Sequence, residues 1–307
     1  MIREVLAALD PKPGENFIDC TLGGAAYTTE IAKRIKPSGK IMAFDLDDLA
    51  IANAKKRIKE EKLDNIILVQ ENFRNIKVAV QKNWLQGGAS FSGIVMDLGM
   101  SSAHLDDRKR GFSFLKDGPL KMEFGESNIK TEAIINDWSG REIEKILREY
   151  GEEKYAHAIA KKIVENRRGK RIITSGELLE IIKAAVPAGY TRQKTHFATR
   201  TFQALRIATN EELESLKEVL PAALELLPPG GRLVVVSFHS LEDRIVKEFF
   251  KKESRDCLCP KEVMHCQCGH KKTLQIITKK GLAPTAEEIK YNPRARSARL
   301  RVAEKLS

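Results

Sequence analysis

The chain has 307 residues, 42% hydrophobic and 31% charged, a balance normal for a globular protein with one large domain or two modest ones. Fifty-three Lys and Arg against 42 Asp and Glu leave a net charge of +11, which favours polyanionic partners, nucleic acid first. No apolar run approaches the roughly 20 residues of a membrane span, and five cysteines, with Cys20 far from the other four, do not read as a secreted disulfide framework.

Met1 to Leu9 reads as a short amphipathic helix. The charge at Glu4 and the want of a small-residue cleavage site argue against a signal peptide, so a cytoplasmic protein is expected. Asn16 to Cys20 is a short strand entered through Pro13-Gly14. It runs into Thr21-Leu22-Gly23-Gly24-Ala25-Ala26-Tyr27-Thr28 and then a helical pattern to Ile35. Small residues in such a turn let backbone approach a ligand, and the helix N-terminus offers unpaired N–H groups. A second strand, Lys40 to Phe44, leads to Asp45. That carboxylate follows the glycine turn by about twenty residues, the spacing at which an acid meets ribose hydroxyls. The dinucleotide pattern G-x-G-x-x-G is absent. Asp19-x-Thr21-x-Gly23-Gly24 is instead similar to the first motif of S-adenosylmethionine (SAM) methyltransferases, although a βαβ unit with a structural turn would read the same way.

Ala50 to Lys62 is a helix with Ile51, Ala54 and Ile58 on one side. Ile66 to Gln70 is a third strand, leading to Phe73 where SAM enzymes set a residue against the adenine; a core aromatic is the alternative. A helix around Ile76 to Leu85 and a Gly87-Gly88 break precede the fourth strand. Its apolar run Ile94-Val95-Met96 suits a strand buried on both faces. It turns polar and small at Asp97, Gly99, Ser101 and Ser102. Ligands of open parallel sheets sit outside the carboxyl ends of the strands, so this end is the candidate chemical centre, against the plainer reading of an ordinary turn.

Beyond Ser102 the α/β rhythm stops. Ala103 to Phe114 is polar, basic and aromatic, and Asp117-Gly118-Pro119 marks a turn. Helical patterns follow at Thr131 to Trp138, Arg141 to Tyr150 behind the capping box Ser139…Glu142, Glu152 to Arg168, and Thr174/Ser175 to Ala185. No strand period shows, so residues 105–207 read as an inserted helical domain between methyltransferase segments 1–104 and 208–307. Along its return, Tyr190 to Glu211, cations alternate with aromatics and amides, a mixture that serves phosphate contacts and base stacking. Arg200, Gln203 and Arg206 share a helical spacing of three. They are read as nucleic-acid contacts, with a solvated helix face as the alternative.

Glu211 to Leu227 is a helix, Pro228-Pro229-Gly230-Gly231 a turn, and Leu233 to Phe238 a buried strand; this is the usual entry to the fifth strand of SAM methyltransferases. Ser240 is expected to cap the helix that runs to Phe250. Thr273 to Thr278 and Ala298 to Val302 supply two last strands, with the basic loop Asn292 to Arg299 between them. Cys257-x-Cys259 and Cys266-x-Cys268 offer enough soft ligands for tetrahedral zinc. The pairs are tighter than C-x₂-C, so they are read as reduced thiols and no metal is expected.

Together these stretches resemble the bacterial 16S ribosomal RNA cytosine-N4 methyltransferases, the RsmH or MraW family, over nearly the whole chain. The most specific segments are Asp97 to Ser102, Asp106 to Phe114, Ala198 to Ile207, Ser237 to Arg244 and Asn292 to Ala298. The resemblance implies an α/β fold, a class I SAM-methyltransferase (Rossmann-like) sheet with an inserted all-helical domain. It also implies SAM as donor, a decoding-region cytosine as target, and small-subunit ribosomal RNA or the 30S particle as partner, with no membrane. A dimer stays open. Its cofactor contacts, carried over, fall at Gly23, Gly24, Ala25, Ala26, Tyr27, Asp45, Phe73, Asp97 and His104. Asp97, Ser101 and Ser102 are expected to accept from the target amine. Arg110, Arg200, Gln203, Arg206, Arg294 and Arg296 are expected to meet RNA.

Three departures stand out. Ala25-Ala26-Tyr27-Thr28 replaces Gly-Gly-His-Ser. Lys121-Met122-Glu123-Phe124-Gly125 replaces Asp-Met-Arg-Met-Asp. The opening His-x-Pro-Val-Leu is missing, as if the chain started late. The first two motivate a rival, an RNA-binding protein of the same fold that has lost methyl transfer.

Overall fold

The structure, a computed structural model, describes residues 1–307 apart from 85–89, 101–106, 108, 109, 114–116, 261, 264 and 307. In chain order, helix α1 (Ile2–Leu9), strand β1 (Phe17–Asp19), α2 (Ala26–Ile35), β2 (Ile41–Asp45), α3 (Asp48–Glu60), β3 (Ile66–Gln70), α4 (Ile76–Asn83) and β4 (Gly93–Asp97) come first. A purely helical stretch follows among the described residues: α5 (Thr131–Asp137), α6 (Gly140–Glu149), α7 (Ala156–Arg167), α8 (Ser175–Ala185), α9 (Ala188–Thr191) and α10 (Thr199–Asn210). Then come α11 (Glu212–Leu226), β5 (Arg232–Ser237), α12 (Ser240–Glu253), β6 (Leu274–Ile276), α13 (Ala286–Tyr291) and β7 (Arg299–Lys305). The chain divides into two compact units, Met1–Gly99 with Leu213–Ser307, and Met100–Glu212. The division lies a few residues outside the expected 105–207.

The first unit is a seven-stranded sheet in the order β3-β2-β1-β4-β5-β7-β6. β1 to β5 run parallel, and β7 is antiparallel to both β5 and β6. This is the class I methyltransferase sheet expected from the sequence. The period-2 alternation of a strand sorts its side chains to two faces. Ile94 and Met96 join Ile18, Phe44, Leu233 and Val235 in one apolar layer. Val95 joins Phe17, Ile41, Val234 and Val236 in the other, against Val5 of α1 and Ile31 of α2. β4 is therefore buried on both faces, as its unbroken apolar run requires.

The second unit has its own core, including Ile134, Ile143, Leu147, Ile159, Ile163, Leu178, Ile182 and Leu205. Two of its helices open on reciprocal caps, Ser139 with Glu142 and Thr174 with Glu177. Such caps satisfy amide donors that the first helical turn leaves unpaired.

One expected cap is corrected. His239, not Ser240, caps α12: its Nδ1 accepts from the Glu242 N–H at 3.4 Å, and the buried Glu242 carboxylate accepts from the Phe238 and His239 N–H groups. Ser240 already lies within the helix. Asp243 is held by Arg301 of β7 through two hydrogen bonds of 2.7 and 2.9 Å.

Ile94 is fully buried and Val78 is 61% exposed. Ile94→Ala is expected to lower unfolding free energy by about 2–5 kcal/mol through the cavity it leaves. Val78→Ala should stay within about 0.5 kcal/mol. Urea titration of both variants beside the parent checks the difference.

Candidate active site and nucleic-acid contacts

In the first unit, β1 is the strand from which the sheet grows both ways, toward β2 on one side and β4 on the other. Crevices at such switch points are where open α/β sheets bind ligands. Two carboxylates end the strands that flank it, Asp19 on β1 and Asp97 on β4. Asp19 is completely buried. It accepts from Thr28 Oγ1 at 2.6 Å and from the Thr21 N–H at 3.0 Å. The Thr21 hydroxyl in turn accepts the Asp97 N–H at 2.6 Å, tying the end of β4 to the turn after β1.

Asp97 as a residue is only half-buried, but its Oδ1 is wholly buried and has no hydrogen-bond partner among the described residues. The Tyr27 phenol lies within electrostatic reach of its carboxylate. Loss of solvation, then the neighbouring charge of Asp19, pushes Asp97 up to about 7. Burial pushes Asp19 up to about 6, against the pull of the Thr28 and Thr21 hydrogen bonds. Burial and the Asp97 charge hold the Tyr27 phenol firmly protonated. The site therefore keeps a protonated phenol near a carboxylate poised near neutrality.

The glycine turn is gripped from both ends. Asp45 Oδ2 accepts the Gly23 N–H at 2.8 Å, and Arg57 donates to the Gly24 carbonyl at 3.0 Å. Gly23 (φ 46°) and Ala25 (φ 59°) are both left-handed. Gly24 is exposed, and a Cβ there would meet nothing within 4 Å, so one side of the turn is open space. Ala26 begins α2, whose N-terminus has no side-chain cap. Phe73 sits on a single 3₁₀ turn after β3, packed against the sheet's core. That turn is pinned to α11 by Arg74, which donates to Ser215 Oγ at 3.0 Å and 2.6 Å.

This donor and acceptor set fits SAM. Asp45 at the end of β2 suits ribose hydroxyls, and the open turn leaves room for the amino-acid part. Ser101, Ser102 and His104 lie outside the described residues. Sequence reasoning gave no role of their own to Thr21 and Thr28, the hydroxyls that hold Asp19 and the end of β4. The only available signal was the pair of hydroxyls flanking the glycine turn.

In the second unit the expected RNA contacts part company. Arg206 is 8% exposed and donates to both oxygens of Glu212, at 2.8 and 2.9 Å. It serves the fold, and its expected place on an RNA-facing surface is corrected. α10 is buried on nearly every side, so a shared spacing did not mean a shared exposed face. Half-buried Gln203 donates to the Tyr150 carbonyl at 3.0 Å. Arg110 donates to the carbonyls of Glu123 and Phe124 and lies over the Phe112 ring, so it too is engaged in structure. Arg200 is exposed, with one hydrogen bond to the Glu152 carbonyl, and Arg192 and Lys194 just before it are exposed as well. In the first unit, Arg294 and Arg296 sit exposed on the 3₁₀ turn Pro293–Ser297.

The departure at Lys121 to Gly125 has a structural account. Glu123 Oε1 accepts the Thr131 N–H that opens α5, at 3.1 Å. Asn210 binds the same segment through the Met122 carbonyl at 2.7 Å and the Phe124 N–H at 2.9 Å.

A family model described as the MraW methylase family matches residues 1–306. The chain is 44% identical to a protein of Brevibacillus brevis named ribosomal RNA small subunit methyltransferase H, over 100% of this chain and 96% of that one. Proteins of the same name from Heliobacterium modesticaldum and Carboxydothermus hydrogenoformans are 45% and 46% identical, over 100% of this chain and 97% of each.

Arg206→Ala leaves Glu212 as a part-buried carboxylate without its guanidinium, and breaking such a pair costs about 3–5 kcal/mol. Exposed Arg200→Ala should cost no more than about 0.5 kcal/mol. Denaturant unfolding is expected to separate the two variants clearly, and equal losses would contradict the assignment of Arg206 to the fold.

Proposed function

We infer from the MraW methylase family, to which this chain belongs, that the protein is a SAM-dependent methyltransferase acting on small-subunit ribosomal RNA. The reaction proposed is methylation of a cytosine N4 in the decoding region, with the 30S particle as the substrate form and the cytoplasm as the place of action. Among the described residues no helix is long and apolar enough to cross a membrane. The observation that carries the chemistry is the buried, unpartnered Asp97 oxygen at the switch point of the sheet.

SAM, when bound, supplies an electrophilic methyl group. Asp45 is proposed to hold the ribose, Phe73 to lie against the adenine, and residues Gly23 to Tyr27 to receive the amino-acid part. A cytosine amine is a poor nucleophile because its lone pair is delocalised into the ring, so holding it in line matters most. Asp97 Oδ1 accepts an N–H of the amine, which favours the lone pair turning outward as positive charge develops. A carboxyl near 7 also suits receipt of the proton that the methylated amine sheds. Thr21 keeps the strand end in register with the turn. The Ser101 and Ser102 hydroxyls are proposed as further acceptors. Exposed Arg192, Lys194, Arg200, Arg294 and Arg296 are proposed to meet phosphates, a contact that salt weakens.

The reading of a methyltransferase that has lost its activity is not favoured. Glu123 takes a capping role at one departure, and at the other Thr28 donates to Asp19.

Labelled SAM offered to small subunits lacking the modification should leave its label in N4-methylcytidine at one decoding-region position, and label on ring carbon or protein would sink the assignment. Asp97 must be ionised to accept, and its pKa is raised. Turnover at limiting substrate should therefore fall about tenfold per pH unit below about 7 and level off above it. Asp97→Asn should lower turnover by about 10²–10⁴-fold and flatten that limb. SAM affinity, measured apart by calorimetry, separates binding from chemistry, and unchanged turnover would remove Asp97 from the mechanism.

A further inference from the structure

After α12 the chain leaves the sheet and returns at β6. The base of this excursion is closed: the Thr273 N–H donates to the Glu253 carbonyl, and Thr273 Oγ1 to the Glu253 carboxylate, both at 2.9 Å. Beyond the base, none of the described residues between Arg255 and Gly269 is buried. Hydrophobic burial does not hold this segment, and an ordering interaction has to come from elsewhere.

Four thiols converge there. The sulfurs of Cys257, Cys259, Cys266 and Cys268 all lie within 4.8 Å of one another. Cys257 to Cys266 is 3.4 Å, Cys257 to Cys268 is 3.8 Å, and Cys266 to Cys268 is 3.6 Å. A disulfide needs about 2.05 Å, so none of these is bonded to another. Four sulfurs about 2.3 Å from one tetrahedral ion stand about 3.8 Å apart, close to the separations seen.

The amides repeat a pattern. Leu258, in the middle of the first pair, donates its N–H to Cys268 of the second at 3.3 Å. Gln267, in the middle of the second pair, donates to Cys259 of the first at 3.4 Å. Each short C-x-C bite thus lends its central amide to the last sulfur of the other pair. Cys259 adds an N–H to Cys257 at 3.3 Å. Such donors disperse thiolate charge. The crossed arrangement is how pairs one residue tighter than C-x₂-C reach a common centre. An all-sulfur set disfavours hard cations and selects a soft tetrahedral ion. Lys251, Lys252, Arg255 and Lys271 are exposed on the flanking chain, a source of positive charge to offset a doubly negative tetrathiolate.

We propose that Cys257, Cys259, Cys266 and Cys268 hold one zinc ion, which fixes the segment between α12 and β6. The full chain, purified without chelator, should carry about one zinc per molecule by elemental mass spectrometry, released by a thiol-directed mercurial. Cobalt(II) added to chelator-stripped protein should give the visible bands and sulfur-to-metal charge transfer of a tetrahedral tetrathiolate. Cys257→Ser with Cys266→Ser should abolish both, while SAM affinity stays within about twofold, since the switch point is built from other residues. A protein with four titratable thiols, no zinc and no cobalt charge transfer would overturn the proposal. So would a mass lowered by disulfide formation, an iron chromophore, or zinc retained by the paired variant.

Discussion

Two carboxylates that end adjacent parallel strands set the character of the first unit. Asp19 and Asp97 are brought together because β1 and β4 are neighbours in the sheet. Like charges at such a place raise each other's proton affinity, and burial raises it further. The chain accommodates Asp19 with hydroxyls rather than cations, those of Thr28 and Thr21. Hydroxyls stabilise a carboxylate without neutralising it, so the site keeps an acceptor instead of closing into a salt bridge. Thr21 does double service, donating to one strand end and accepting from the other.

In the second unit, charge is used the opposite way. Arg206 and Glu212 neutralise each other at the edge of its core, and Arg110 is taken up by carbonyls of the Glu123 segment. Glu123 reaches the opening of α5, so the altered residues between Lys121 and Gly125 form a joint inside the unit. A net positive chain can therefore hold several of its arginines out of reach of any polyanion. Excess charge taken from composition overstates the part available for binding.

Much of the fold was legible. Apolar runs of strand length, each ended by an acid, a glycine turn or a Pro-Gly break, marked most of the sheet's strands, and the capping boxes at Ser139 and Thr174 marked helix starts. Adjacency was not legible, because nothing local to Asp19 or Asp97 says that their strands touch; crossover order decides that. Spacing also misled at Arg206. Period three puts Arg200 and Arg206 on related faces of α10, but only packing decides whether a face is covered. The approach of the two cysteine pairs was not legible either, because it goes with crossed amide–sulfur contacts rather than with local spacing.

The first unit is assembled from two stretches of chain, with the whole second unit between them. β4 pairs with β1 on one side and with β5 on the other, and β5 begins only at Arg232. On the ribosome, at 5–20 residues per second, the apolar edge of β4 waits on the order of 10 s for its partner. A bare strand edge is an invitation to pair with the wrong chain. The helical unit, with its own core, can fold during that interval. Newborn copies of this protein are therefore most vulnerable to aggregation in a window set by the length of the insertion, and a chaperone would find them there.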